Sequence, residues 1–261
     1  MKFRLGTVRS KAIVRRLVMT EKNGALLLAK KWWINDDICM RVPSIGDILD
    51  FGESKYFSTI YTMYATPYEL MGQLDAMGID YEKVEEFDLF CFSFLGMTEE
   101  KCRIVFENIN TKDYELAPDP DDKKQHLLLD KKTGHMIRKK DAEAISAFLR
   151  KLQCTEKCNK KAGNSAMKKY LLDKARRKLK SAKHDKAQNV IEDMLICLMN
   201  TSEFAAKSIQ EAFAMNIYFF NKSMRQINKK IDYDHICAGI YAGTIDSKKI
   251  NMKKIHWMNL G

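Results

Sequence analysis

The residues able to hold a metal ion come first. Cys154 and Cys158 stand four apart in a basic stretch, and His235 with Cys237 forms an isolated His-x-Cys. Structural zinc takes four ligands, usually as two close pairs. No second Cys-x-x-Cys or His-x-x-x-His pair exists to complete either set, so no metal is expected and the thiols are read as unpaired. Glu85 beside Glu86, or Asp119 with Asp121 and Asp122, could serve acid–base work or a cation. Adjacent acids on a helix point roughly 100° apart, and the Asp cluster lacks the spacing of a calcium loop. Both read as solvated acids. Glycine-rich phosphate loops, a Gly-x-Ser-x-Gly elbow and a His-Glu-x-x-His helix are all missing. The five histidines stand in no spacing that identifies a triad, although triads assemble in space. The expectation is a protein that is not an enzyme and has no cofactor.

The strongest physical feature is a basic helix. In MKKYLLDKARRKLKSAKHDK, Met167, Leu171, Ala175 and Leu179 recur every four residues with Leu172 beside them, one apolar stripe on a cationic helix. Lys168, Lys169, Arg176, Arg177, Lys178, Lys180 and Lys183 occupy the other faces as candidate docking residues. Such a helix can bind nucleic acid through phosphates, dock on an acidic protein surface of this or another chain, or be a solvated face. Base readout calls for aromatics, Asn or Gln among the cations, and only Tyr170 and Gln188 are near. Nucleic acid is the less favoured partner.

Charge placement supports that ranking. The chain has 261 residues and a formal charge of +11. Leu149 to Lys186 holds 14 Lys or Arg against 3 acids, which equals the whole imbalance, while Asp80 to Asp122 carries 13 acids against 4 bases. The N-terminus has charges every few residues and no signal-peptide apolar run. No window approaches the roughly 18 consecutive apolar residues of a membrane span. Seven cysteines, several inside apolar helical patterns, suit a reducing compartment. The expected place is the cytosol, without membrane or disulfides.

The elements that position these residues follow from periodicity. Ala12 to Thr20 and Ala25 to Ile34 flank Asn23-Gly24, a type I′ hairpin signal, and Asn35-Asp36-Asp37 turns into Ile38 to Val42. This predicts a three-stranded meander. Ser44 and Asp47 form a capping pair for a short helix ended by Gly52. Thr66-Pro67-Tyr68-Glu69 starts another helix, running to Met77 and stopping at Gly78. Phe87, Phe90, Cys91, Phe94 and Leu95 mark one buried helical face. Ile104 to Phe106 fits a helix or a buried strand equally. Residues 112–125, with Pro118, Pro120 and four Asp, read as a loop. Leu127 to Asp130 pairs with His135 to Arg138 around Gly134, and Asp141 caps a helix with Ile145, Phe148, Leu149 and Leu152 inward. Three helices follow: Ser165 to about Lys183, Ala187 to Asn200, and a long one from Ser202 or Glu203 to Lys230. Residues His235 to Gly261 pack back as short elements.

The fold class expected is α+β, mainly α, with N-terminal β-hairpins, a short internal hairpin and a C-terminal helical bundle. The units are residues 1–42 as a β meander, 43–117 as a helical region, and 118–261 as the hairpin, basic helix and bundle, with 43–261 as one domain in the alternative.

Several stretches, in order, resemble a family of tailed-phage morphogenesis proteins from Gram-positive hosts. They are VPSIGDILDFGESKYFS (Val42 to Ser58), TPYELMGQLDAMGIDYEKVEEFDLF (Thr66 to Phe90), the Leu127 to Leu152 hairpin and helix, KAGNSAMKKYLLDKARRK, and a C-terminal stretch from LICLMNTSEFAAKSIQEAF to NMKKIHWM. Together they cover about four fifths of the chain, from Val42 onward, whereas the first forty residues fit the pattern poorly. The resemblance implies a tail assembly chaperone, non-catalytic, that binds the tape-measure protein and recruits tail-tube subunits in the cytoplasm of the infected bacterium. It transfers no catalytic residue. A virion component of tail or baseplate is the alternative, and a second copy of the chain is a further candidate partner.

Overall fold

The computed structural model describes residues 23–122, 125–158, 162–184, 190–202 and 208–258. The fold is α+β and mainly α, with two small antiparallel sheets. Helix α1 (Asn23–Leu26) leads to β1 (Lys31–Trp33), which pairs with β2 (Cys39–Arg41) in the register Trp32 to Met40. Asn35 closes the turn between them, its Oδ1 accepting from the amides of Asp37 and Ile38. Asn23-Gly24 is therefore the start of a helix and not a hairpin turn, and the expected strand Ala25 to Ile34 shrinks to three residues. The proposed partner strand, Ala12 to Thr20, lies outside the described residues.

Helix α2 (Ile45–Phe51) carries the expected capping box, with Asp47 N donating to Ser44 Oγ and Ser44 N to the Asp47 carboxylate. Gly52, at φ +98°, ends it and allows an abrupt start of α3 (Glu53–Tyr64). Helix α3 buries Tyr56, Thr59, Ile60 and Met63 at the centre of the molecule. Next come α4 (Met71–Ala76), a 3-10 turn at Tyr81–Lys83, α5 (Glu86–Leu95) and α6 (Glu99–Val105). Phe87, Phe90, Cys91 and Phe94 face inward as expected, but Leu95 is 39% exposed because α5 ends there at Gly96. The open choice at Ile104 to Phe106 resolves as helix through Val105, after which Phe106 bridges Met40 of β2.

The loop reading of residues 112–125 is corrected. Tyr114–Pro118 forms β3, which pairs along its full length with β4 (His126–Asp130), and β4 pairs with β5 (Met136–Ile137). β3 is an edge strand with one buried residue, Tyr114, so neither alternation nor burial marks it, and its proline sits at the edge where a missing donor costs nothing. Helix α7 (Lys139–Leu152) buries Ile145, Phe148, Leu149 and Leu152. Asp141 stands at its third position and accepts from Arg138 N, a capping-box partner and not the cap itself.

The C-terminal helices are α8 (Ser165–His184), α9 (Val190–Met199), α10 (Ile209–Ala214), α11 (Ile217–Tyr241) and α12 (Met252–Ile255). The single helix expected from Ser202 to Lys230 is broken at Met215-Asn216. Asn216 takes extended backbone geometry, bridges Ser44, and donates from its amide to the carbonyls of Leu26, Leu27 and Ala29. Pro43 and Met215 carbonyls accept from Ile217 and Ile45, completing a strand-like clasp that competes successfully with helix continuity. The main core runs from Leu26 to Phe220. A smaller satellite core gathers Ala65, Leu70, Met71, Leu74 and Tyr81.

Candidate functional site

Helix α8 is built on the satellite core. Asn164 starts it by accepting Met167 N at 2.8 Å. Leu171, Leu172 and Ala175 of the apolar stripe pack on Leu70, Met71 and Leu74. A Cβ at Gly72 would stand 3.3 Å from Ala175 Cβ, so the absence of a side chain there permits the close approach of α4 and α8. Met167, the first residue of the stripe, lies beyond this contact and is 48% exposed.

The seven candidate cations divide into two sets. Lys168 Nζ meets Asp80 at 2.8 Å and Glu82 at 2.7 Å, with the Tyr81 ring beneath it. Arg176 grips Asp75 with two parallel bonds of 2.7 and 2.8 Å and also reaches Asp173 at 3.1 Å. The hydrogen bond from Lys168 holds the Asp80 carboxyl below its ordinary range, and that from Arg176 does the same for Asp75. Both cations are correspondingly pushed up. Lys169, Arg177, Lys178 and Lys180 are exposed, as Arg176 is, but unlike it make no ion pair with any described residue. Lys183 lies in the helix, and its side chain is outside the description.

At roughly 100° per residue, Lys168 sits in the middle of the packed face, while Arg177 lies on the opposite side. Lys174 and Tyr170, exposed on that outer side, belong with the free set and were not among the candidates. Asp75 was also missed, because it precedes the acidic run of Asp80 to Asp122. Its position one turn from Gly72 on α4 was the available signal.

The other constellations are structural. Glu85 and Glu86 pair with Lys139 and Lys157, and Asp119 with Asp121 clamps Arg138. Among the described residues no group of three or more His, Cys, Asp or Glu could hold a metal ion, and no helix is long and apolar enough to cross a membrane. A cleft of about 1270 Å³ opens between the α1–β1 connection, α6 and the α10–α11 clasp. Arg41, Arg103, Glu99, Glu100 and Asp47 on its walls are already bound to partners within the chain.

A family model described as the second domain of YomV matches residues 181–260. That family is phage-derived. The match covers less than a third of the chain and supports a phage context over α9 to α12. It does not address a tail role. No curated protein and no solved structure matches the chain significantly.

Proposed function

We propose that this is a non-catalytic phage tail morphogenesis protein, of the tail assembly chaperone kind, that works through protein–protein contacts in the infected cell. The observation that carries the reading is the division of charge on α8. Lys168 and Arg176 are neutralised by Asp75 of α4 and by Asp80 and Glu82 of the turn that follows it, while Lys169, Arg177, Lys178 and Lys180 make no ion pair among the described residues. A rigid cationic face of this kind speeds and orients encounter with an acidic partner surface more than it adds affinity. The resemblance of most of the chain to tail morphogenesis proteins supplies the partner class: the tape-measure or tail-tube protein.

Co-expression with these two proteins tests the proposal. The wild-type chain should co-purify with one of them, and Lys169→Glu, Arg177→Glu, Lys178→Glu and Lys180→Glu together should abolish the complex while Lys168 and Arg176 keep α8 in place. Unchanged co-purification would reject docking through α8. Mass spectrometry of purified virions separates the chaperone from a tail or baseplate component: stoichiometric copies in particles mean a structural part.

A further inference from the structure

Where the outer face of α8 offers the single exposed ring of Tyr170, the end of the chain groups three rings with lysines. Met252 to Met258 reads Met-Lys-Lys-Ile-His-Trp-Met, preceded by Lys248 and Lys249, and Asp246 is the one acid between Ile245 and Met258. This segment folds back on α11 as an ordered platform. Asp246 caps the 3-10 turn at Ser247–Lys249, and Asn251 caps α12 by accepting Lys254 N at 3.1 Å. Gln226 of α11 donates to the Trp257 carbonyl. The His256 ring lies 5.0 Å from Tyr233 of α11, and Trp257 stacks on His256 at 6.2 Å with 15° between planes. Met258 N donates to His256 Nδ1, fixing the imidazole orientation.

Tyr233, Met252, Lys253, His256 and Met258 line a shallow, open groove of about 490 Å³. Lys253 is on its wall, and Lys248, Lys249 and Lys254 are exposed in the same segment, with Lys249 reaching Asp246 at 4.0 Å and the exposed Asp232 and Asp234 on either side of Tyr233. Lys229 stands one turn before Tyr233 on the same side of α11 and is also exposed.

We propose that this groove binds single-stranded nucleic acid, with an unstacked base laid on the Tyr233–His256–Trp257 rings and phosphates held by Lys248, Lys249 and Lys254. The physical case is the pairing of a sequence-tolerant π surface with a cationic border, which is how single strands are held without base readout. A duplex keeps its bases stacked and cannot use the rings. An acidic protein surface would use the lysines and ignore the rings. The site lies apart from α8 and does not depend on the docking proposal.

Fluorescence anisotropy of the full chain with labelled 12-nucleotide oligo-dT and oligo-U at 0.15 M salt tests it, with a 12-base-pair duplex, heparin and polyglutamate as competitors. Either single strand should bind, the preferred one identifying DNA or RNA as the source. Trp257→Ala should weaken binding roughly tenfold, the loss expected for one stacked base, while Trp257→Phe should retain it. Replacing Lys248, Lys249 and Lys254 by Gln should reduce the salt dependence by about two units of log–log slope. Charge reversal of the outer α8 face should leave binding unchanged. The proposal fails if neither oligonucleotide binds, if heparin, duplex or polyglutamate competes as well as the single strands, if Trp257→Ala binds like wild type, or if binding depends on α8.

Discussion

Helix α8 and the long helix α11 are both basic and amphipathic, yet the fold uses them in opposite ways. Helix α8 lies along α4, seals the satellite core with Leu171, Leu172 and Ala175, and has part of its charge cancelled by acids beneath it. Helix α11 enters the main core by its first turn, with Ile217, Tyr218 and Phe220 buried, and among the described residues none after Phe220 is buried. Its far end contacts the returning tail through Gly239 and Ile245, and through Tyr233 and His256. Availability of a cation to a partner is therefore decided by what lies under the helix, and net charge does not report it.

The largest effect should separate the two ends of α11. Phe220→Ala removes a side chain that is 1% exposed and should cost about 3–5 kcal/mol in chemical denaturation. Ile231→Ala, at a position 39% exposed, should cost less than about 1 kcal/mol. Equal losses would show that the far half of α11 is covered in solution, and the contrast drawn above would fall.

A comparable loss is expected at the polar link between the two cores. Arg150 of α7 and Glu69 form an ion pair of 2.7 Å with side chains 8% and 17% exposed, and Arg150 also donates to the carbonyls of Tyr64 and Glu156. Leaving Arg150 without its carboxylate in Glu69→Ala should cost about 3 kcal/mol. Burial pushes the Glu69 carboxyl up, but hydrogen bonds from Arg150 and Thr66 outweigh it and hold the group below its ordinary range. A depressed carboxyl stabilises the fold above its unfolded pKa, about 4.3, and that contribution disappears as pH falls through the folded value. Wild type should lose stability there and Glu69→Ala should lose less. Parallel acid curves would remove this pair from the account.

Most of the fold was legible where a local signal and the tertiary outcome agree. The Ser44–Asp47 box, the Gly52 break, the Phe87 to Phe94 face and the Leu127 to Arg138 hairpin are set within a few residues of each other. The failures lie where distant partners decide. β3 is a strand because β4 accepts it, and Asn216 breaks a helix because three carbonyls near Leu26 need its amide. The candidate site was half legible for the same reason. Composition identified α8 and its cations, but only Asp75, Asp80 and Glu82 tell Lys168 and Arg176 from Arg177 and Lys178.

A smaller effect is expected from the α4–α8 contact itself. Gly72→Leu forces a side chain against Ala175, and overpacking of this kind costs about 1–3 kcal/mol. Hydrogen exchange should accelerate in residues 165–181 while the clasp around Asn216 keeps its protection. Uniform acceleration would mean that α8 does not open as a separate unit.

The smallest change tests the charge argument most directly. Asp75→Asn with Asp80→Asn raises the formal charge by two, and so does Asp36→Asn with Asp50→Asn at exposed positions away from α8. Only the first pair releases Arg176 and Lys168 from their partners. On a cation-exchange column, which senses the local density of free cations, it should elute at the higher salt. Because both aspartates are held below their ordinary range by these cations, their ionic hold on α8 is present above about pH 3.9 and fades as pH falls through the depressed values. The protection factors of α8 in wild type, which divide out the intrinsic slowing of exchange in acid, should therefore fall on acidification, and the double variant should show the lower protection already at neutral pH. Identical elution of the two variants would mean that Lys168 and Arg176 were never withheld from partners, and that all of the α8 cations must be counted as one surface.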